Sequence, residues 1–363
     1  MKKILIYGLT KNLGGIENFI YNHLTSMNLE GMEIHLLVYE KPVFYNELLD
    51  MGCIFHFIPR RGVDFKKNRS LTKKLFEDYD FNTIWFNVCT LSYILPLKEA
   101  YLKGVKNRII HVHSPNASGG WKMKLFHNLN KKNIKKYANI FLSCSKGASE
   151  YSYDRDIIEN QDYRIIYNAI NVDKFIYNKE NRKKIRNELN ISEEDFVIGH
   201  VGRLSDVKNH NFLIDVFDEI NKEVKSKLVL VGEGELRNKL EEKVRELNLD
   251  DRVIFLGMRT DIEEILSAFD SFVFPSKYEG LSLSLVEAQA SGLRCFLSTN
   301  ISEENNVVGN AYFIPLDKGK EYWKDLILKE SLDYERKDYS ELLKEKKFDI
   351  EENAREIKNI LLR

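Results

Sequence analysis

Residues 271–292 read "SFVFPSKYEGLSLSLVEAQASG": an unbroken apolar run, a polar loop holding one glycine, and a helical stretch that starts at Leu281, carries small Ala288 and Ala290, and closes on Gly292. An apolar run without alternation suits a parallel strand covered by helices on both faces. The same strand, loop and helix grammar recurs along the whole chain. "KILIY", "EIHLLVY", "TIWFNV", "RIIHVH" and "NIFLSC" precede it in the first half, and "FVIGHV", "KLVLVG", "RVIFLG" and "RCFLS" share its own half. Helical spacing fills the intervals, as at Ile16, Phe19, Ile20 and Leu24, or Leu213, Val216, Phe217 and Ile220.

This βαβ grammar read twice gives an α/β chain of two Rossmann-like, doubly wound domains. At 363 residues the chain is too long for one ordinary core and comfortable for two. The polar stretch around Asn168 to Phe175 marks the junction, so the domains are expected at 1–170 and 171–349, with a closing helix at 350–363 that packs back on the first. Ligands of such folds bind where strand C-terminal edges face the cleft between the domains.

Composition narrows the function classes. Apolar residues at 43% and charged residues at 30% describe a globular protein, and no run approaches the roughly 18 apolar residues of a membrane span. The start "MKKILIYGLTKNLGG" is a first strand rather than a secretory signal, so a cytoplasmic location is expected. Cys53, Cys89, Cys144 and Cys295 stand singly, without zinc, redox or disulfide spacing, and are expected to be buried and inert. The overall charge is zero, but residues 1–168 hold 24 Lys plus Arg against 16 Asp plus Glu, and the remainder 31 against 39. The halves therefore face different partners, the basic one an anionic surface; nucleic acid is not among those expected.

Three loops carry candidate chemistry. In "YGLTKNLGGIENF" a strand runs into Gly14 and Gly15 ahead of a helix, where backbone N–H groups can meet an anion; the plainer reading is a tight turn, and no GxGxxG dinucleotide fingerprint is present. In "GHVGRLSDVKNH" Arg203 and Lys208 sit just after a strand and suit the oxygens of a diphosphate, or are two solvated charges. In the opening stretch the backbone N–H groups of Gly280, Leu281, Ser282 and Leu283 are free to grip a phosphate. Glu279 precedes that helix and Glu287 lies about two turns inside it, so neither competes for those amides. Each can accept paired hydrogen bonds from the diols at the two ends of a nucleotide-sugar whose middle is the anion. The plainer reading is one acid favouring the helix dipole and one ordinary helical glutamate.

"GRLSDVKNH", "LVGEGELR", "VIFLGMRTDI" and "FPSKYEGLSLSLVEAQASGL" resemble the signature blocks of retaining GT-B glycosyltransferases of family 4, close to the bacterial exopolysaccharide and capsule enzymes. The resemblance covers nearly the whole chain, including "GGIENFI", "RIIHVHSPN" and "IIYNAINVDKF". It implies that Arg203 and Lys208 hold the donor diphosphate, that Glu279 meets the donor sugar, and that Glu287 meets the nucleotide ribose. It implies that the Gly15 backbone nears the phosphate, that His113, or else His111 two residues earlier, lies by the reacting sugar, and that Arg259 marks the loop whose backbone contacts the base. The implied activity is transfer of a hexose or N-acetylhexosamine from a nucleotide-sugar, UDP by preference, to an oligosaccharide or lipid-linked acceptor. No cofactor and no metal are implied; the DxD pairs Asp78/Asp80 and Asp154/Asp156 follow no convincing strand.

"WKMKLFHNLNKKNIKKY", Trp121 to Tyr137, holds six lysines and no acid, with Trp121, Leu125 and Leu129 at four-residue steps. It reads as one basic amphipathic helix. Either Lys122, Lys124, Lys131, Lys132, Lys135 and Lys136 face anionic lipid at the inner membrane surface, or the apolar stripe packs on the first sheet and the lysines face solvent. Other classes are a sugar-nucleotide epimerase of the same architecture, which needs no acceptor, and a non-catalytic partner subunit, which would lack one of Arg203, Lys208 or Glu287. A dehydrogenase is disfavoured by the missing fingerprint.

Overall fold

The fold is that of a computed structural model describing residues 1–12, 14–116 and 120–363. It divides into two compact units, 1–169 with 350–363, and 170–349. In the first, strands β1 (Lys2–Tyr7), β2 (Met32–Val38), β3 (Ile54–Phe57), β4 (Thr83–Val88), β5 (Asn107–Val112), β6 (Ile140–Ser143) and β7 (Tyr163–Ile165) lie in the order β3-β2-β1-β4-β5-β6-β7. All pair in parallel. In the second unit β8 (Phe196–Val201), β9 (Ser226–Val231), β10 (Val253–Gly257), β11 (Ser271–Phe274), β12 (Arg294–Ser298) and β13 (Ala311–Ile314) are ordered β10-β9-β8-β11-β12-β13, also in parallel.

Each sheet feeds two cores. In the first, Ile4 and Ile6 face one helical layer while Leu5 faces the other; in the second, Ile198 and Leu230 oppose Val197 and Val231. That is why the strands are apolar without alternation. The closing helix Ile350–Leu361 buries Ala354, Ile357 and Ile360 in the core of the first unit, and its Leu361 carbonyl accepts a 2.8 Å hydrogen bond from Thr83 Oγ1.

Both sheets reverse strand order once, between β1 and β4 and between β8 and β11. Loops leaving the two strands of such a pair diverge and leave a crevice at their C-terminal ends. The loop after β8 holds Arg203 and Lys208, and the loop after β11 holds Glu279 and Gly280. Gly232, at the end of β9, has φ +132°, and a Cβ there would lie 2.2 Å from the Gly202 carbonyl oxygen. A side chain would push the Arg203 loop off its seat.

Three local expectations fail. The helix expected from Leu281 runs Leu283–Ala290, because Ser282 is held extended with its N–H donated to Asn305 Oδ1 at 2.9 Å. The single helix expected over Trp121 to Tyr137 is two, Trp121–Lys131 and Ile134–Tyr137. Asn133 Nδ2 bonds back to the Leu129 carbonyl at 3.0 Å, taking the acceptor that a continuing helix needs for its own N–H. Cys53, Cys144 and Cys295 are buried, but Cys89 is exposed, because it lies in the loop after β4 rather than in a packed element.

Candidate active site

At the crevice of the second unit, two loops far apart in sequence are laced together. Lys277 N–H donates to the Val207 carbonyl at 2.8 Å, Asn209 Nδ2 to the Pro275 carbonyl at 3.2 Å, and Lys277 Nζ meets Asp206 Oδ1 at 2.7 Å. Asn209 takes the left-handed φ of 57° that opens the helix His210–Glu223. The lacing delivers Lys208 Nζ to Glu279 Oε2 at 2.7 Å and 4.3 Å above the Phe274 ring. With side-chain exposures of 16% and 25%, this is a half-buried ion pair rather than a surface one.

Arg203 behaves differently: its side chain is 73% exposed, and it bonds Glu235 Oε2 at 3.1 Å through Nε and Nη2. The two cations expected to share one diphosphate are therefore each held by a different carboxylate.

Ahead of the helix Leu283–Ala290 the backbone is braced from inside. Buried Asn305 takes the Ser282 N–H and donates its own Nδ2 to the Gly280 carbonyl at 2.6 Å. Buried Gln289 donates to the Asn305 carbonyl at 2.7 Å and accepts from Val307 N–H at 2.9 Å. Of the four amides expected to grip an anion, that of Ser282 is thus engaged. Among the described residues those of Gly280, Leu281 and Leu283 have no acceptor, and Ser284 joins them at the helix start. Asn305 and Gln289 were missed in the sequence reading. The only signal was a glutamine on the apolar face of the helix, at Gln289.

Glu287, the fifth residue of the helix Leu283–Ala290, lies in its second turn, a shorter way in than expected. Among the described residues it forms no ion pair. Burial pushes its carboxyl up to about 7, and the negative charge of Glu263 adds to the effect. Arg259 turns its guanidinium to Asp261 (2.6 and 2.8 Å) and Glu188 (2.6 Å), so a ligand in that loop would find its backbone rather than its side chain.

The remaining expected residues lie in the first unit. Gly14 caps the helix Gly15–Ser26, where a Cβ would meet Glu17 Oε2 at 2.7 Å, whereas at Gly15 nothing lies within 4 Å. Buried Glu17 already accepts from Thr10 N–H at 3.2 Å and from Thr10 Oγ1 at 2.5 Å. That acid is engaged by the preceding loop, no side chain caps the helix, and Gly15 is the open backbone at its start. Leu13, between Asn12 and Gly14, lies outside the described residues.

Of the two histidines, His111 is fully buried and only His113 is partly exposed. Their rings stack at 4.2 Å, and His113 Nε2 donates to Asn87 Oδ1 at 2.9 Å, which leaves Nδ1 as the acceptor. Burial, with His23 adding, drives the His113 pKa down to about 3. It is neutral at pH 7.

The comparisons with known proteins fit this geometry. Residues 181–341, spanning the crevice, match the family model for glycosyl transferases group 1. Over 310 residues the chain is 30% identical to a putative glycosyltransferase, EpsF, of Bacillus subtilis, covering 84% of this chain and 80% of that one. The chain belongs to the group 1 glycosyl transferases.

A Campylobacter jejuni relative, named as an N-acetylgalactosaminyltransferase acting on a diphospho-undecaprenol-linked sugar, is 26% identical over 326 residues, covering 86% of this glycosyl transferase and 85% of the relative. An Escherichia coli galactosyltransferase named for a GlcNAc-diphosphoundecaprenol acceptor is 37% identical over 155 residues, covering 41% and 39%. Among solved structures, HepE from Anabaena, in complex with UDP, has a TM-score of 0.73 at 17% identity, covering 98% of this chain and 94% of that one. That likeness bears on the fold: two Rossmann-like domains of the GT-B type.

The raised Glu287 pKa makes a pH prediction for this glycosyl transferase. The folded protein holds this proton up to about pH 7, while an unfolded carboxyl sheds it in the ordinary range. Stability of the free protein should therefore fall as pH rises through that window. If Glu287 holds the ribose diol, as the family resemblance implies, the two hydrogen bonds need its carboxylate, and nucleotide-sugar affinity should tighten as pH rises through about 7 and then level. Titration calorimetry between pH 5.5 and 8.5 should show this slope, and Glu287→Gln should flatten it.

Proposed function

We propose that this glycosyl transferase moves a hexose or N-acetylhexosamine from a nucleotide-sugar, UDP-linked, to a lipid-linked oligosaccharide, with retention at the anomeric carbon and without a metal, during assembly of an exopolysaccharide or capsule. The observation that carries the reading is Lys208, half-buried at the β8/β11 crevice beside the free amides that open the helix Leu283–Ala290. Undecaprenol-diphosphate acceptors in the names of two relatives, and UDP in a structural neighbour, support the substrate classes.

In this reading the donor diphosphate takes the place of the Glu279 carboxylate on Lys208, and Arg203 leaves Glu235 to join it. Glu279, released, accepts from hydroxyls of the donor sugar, and Glu287 from the ribose. An acceptor hydroxyl oxygen then forms a bond to the anomeric carbon from the face that the phosphate leaves. The carbon–oxygen bond to phosphate breaks with its electron pair, and the hydroxyl proton passes to that departing phosphate oxygen. Lys208 and the helix amides stabilise charge that develops on the diphosphate, and such preorganised electrostatics is commonly the largest part of catalysis. His113, neutral with Nδ1 free, accepts a hydrogen bond from a sugar hydroxyl and moves no proton.

Contact with the inner face of the cell membrane fits the first unit. Trp121, Leu125 and Leu129 keep 71%, 48% and 50% of their surface exposed, so the apolar stripe does not pack on the sheet. The six lysines are not equivalent. Lys131 Nζ is tied to the Glu150 and Tyr151 carbonyls at 3.0 and 2.9 Å, and Lys135 to Asp156 at 3.0 Å. In this reading Lys122 and Lys124, beside Trp121, meet the lipid headgroups.

Lys208→Ala should lower kcat/KM about 100- to 1000-fold, the usual loss when one donor to developing charge is removed. Transfer of radiolabelled sugar from UDP-glucose, UDP-galactose and their N-acetyl counterparts, with added chelator, tests this; near-native turnover of the variant would remove Lys208 from the mechanism, and arrest by the chelator would refute metal independence. Trp121→Ala combined with Leu125→Ala should weaken binding to vesicles rich in anionic lipid by about tenfold or more, from lost apolar burial. Co-sedimentation reads it directly, and unchanged binding would refute the membrane contact.

A further inference from the structure

The first unit has a crevice of its own, and it opens into a basic cavity that the reaction above does not use. At the β1/β4 reversal, a cavity of about 210 Å³ is walled by Tyr7, Tyr39, Tyr93, Thr10, Thr90 and Asn87, the residue that holds His113. Tyr7 and Tyr39 share a hydroxyl hydrogen bond at 2.8 Å, and Tyr93 donates to Asn68 at 2.9 Å, so the three rings are fixed. Flat aromatic faces with hydroxyl and amide groups at their rim match a sugar ring, apolar on its faces and polar at its edge.

Ser92 and Tyr93 also line an adjoining cavity of about 340 Å³, whose walls include Arg61, Arg69, Lys98, Phe65 and Phe126. No carboxylate lines it. Among the described residues none of Arg61, Arg69 and Lys98 forms an ion pair. The Arg61 guanidinium rests instead over the rings of Phe126 and Phe65, at 5.2 and 6.0 Å, and Lys98 over that of Tyr137 at 5.2 Å. Elsewhere in the unit cations do find acids, as Arg60 finds Glu40 and Lys103 finds Glu77. Three cations lining one cavity without an acid, with Arg61 backed by the Phe65 and Phe126 rings, suit a doubly charged anion with a hydrocarbon neighbour.

We propose that Arg61, Arg69 and Lys98 bind the diphosphate of a polyprenyl-diphosphate-linked acceptor, whose sugar lies in the adjoining tyrosine-lined cavity and whose hydrocarbon leaves past Phe65 and Phe126. This deepens the proposed function and rests on its lipid-linked acceptor. It goes further in fixing which end of the acceptor is read. The enzyme recognises the carrier's diphosphate, so the acceptor sugar must stand close to the carrier, early in chain assembly.

The test is direct binding, which needs no turnover. Farnesyl diphosphate, farnesol and an alkyl glycoside ending in a uronic acid are titrated against the full-length protein and its Arg61→Gln/Arg69→Gln/Lys98→Gln variant, with UDP affinity as the check that the variant is folded. Farnesyl diphosphate should bind the unaltered protein and lose about 100-fold or more in the variant, as expected when three cations that hydrogen-bond the diphosphate are removed, while farnesol should bind both equally and weakly. Equal affinity of the two proteins for farnesyl diphosphate would overturn the proposal, as would a loss confined to the uronic acid, which would make the anion a sugar carboxylate. The transferase reading fails separately, if no sugar nucleotide is consumed by the unaltered protein.

Discussion

The ion pair between Lys208 and Glu279 is the interaction on which the second unit's site depends. Side chains 71 positions apart meet at 2.7 Å only because the β8 and β11 loops are laced by Lys277, Asn209 and Val207. Neither partner reaches full hydration, and removing one alone would leave the other charged and half-buried. A site that must hold an anion intermittently has to keep its cation in place when the anion is absent, and a nearby carboxylate does that. In the proposed reaction the same carboxylate is then available for hydroxyl groups once the anion takes over the cation. The two acids flanking the helix start thus answer different needs: Glu279 holds Lys208, and Glu287 sits in surroundings that keep its proton on to about pH 7.

The first unit is built on the same topology with opposite chemistry. Its strand reversal is lined by aromatic hydroxyls and by the Asn87 amide, to which the neutral His113 is bonded, and the unit carries an excess of basic residues. Burial, with His23 adding, keeps the His113 ring uncharged. In the proposed reaction a neutral ring offers an acceptor nitrogen to a sugar hydroxyl and does not compete with the cations for a phosphate.

The strands were legible in the sequence because each is buried on both faces and so reads as a continuous apolar run, and the helices because their spacing departs from it. The candidate cations and acids were legible as residue types at strand ends. Much of what was not legible depended on partners distant in the chain. The helix start moved to Leu283 because Asn305, in a loop beyond β12, claims the Ser282 amide. The break before Ile134 came from a local competitor, the Asn133 side chain, which period counting does not weigh. Whether the stripe of Trp121, Leu125 and Leu129 packed inward or faced outward could not be settled by spacing, since both arrangements need the same pattern. Nor could the pairing of Arg203 with Glu235, a neighbour across the β8 and β9 loops, be read from residue type.

In the proposed reaction the donor's diphosphate and the Glu279 carboxylate compete for one ammonium group, that of Lys208. Equilibrium binding of UDP to the Glu279→Gln protein tests it most directly, because UDP carries the diphosphate and lacks the sugar that Glu279 would otherwise hold. Tighter UDP binding than in the unaltered protein, with sugar transfer lost, is the result expected. Weaker UDP binding would show that the carboxylate supports the anion's seat rather than occupying it, and would contradict the exchange.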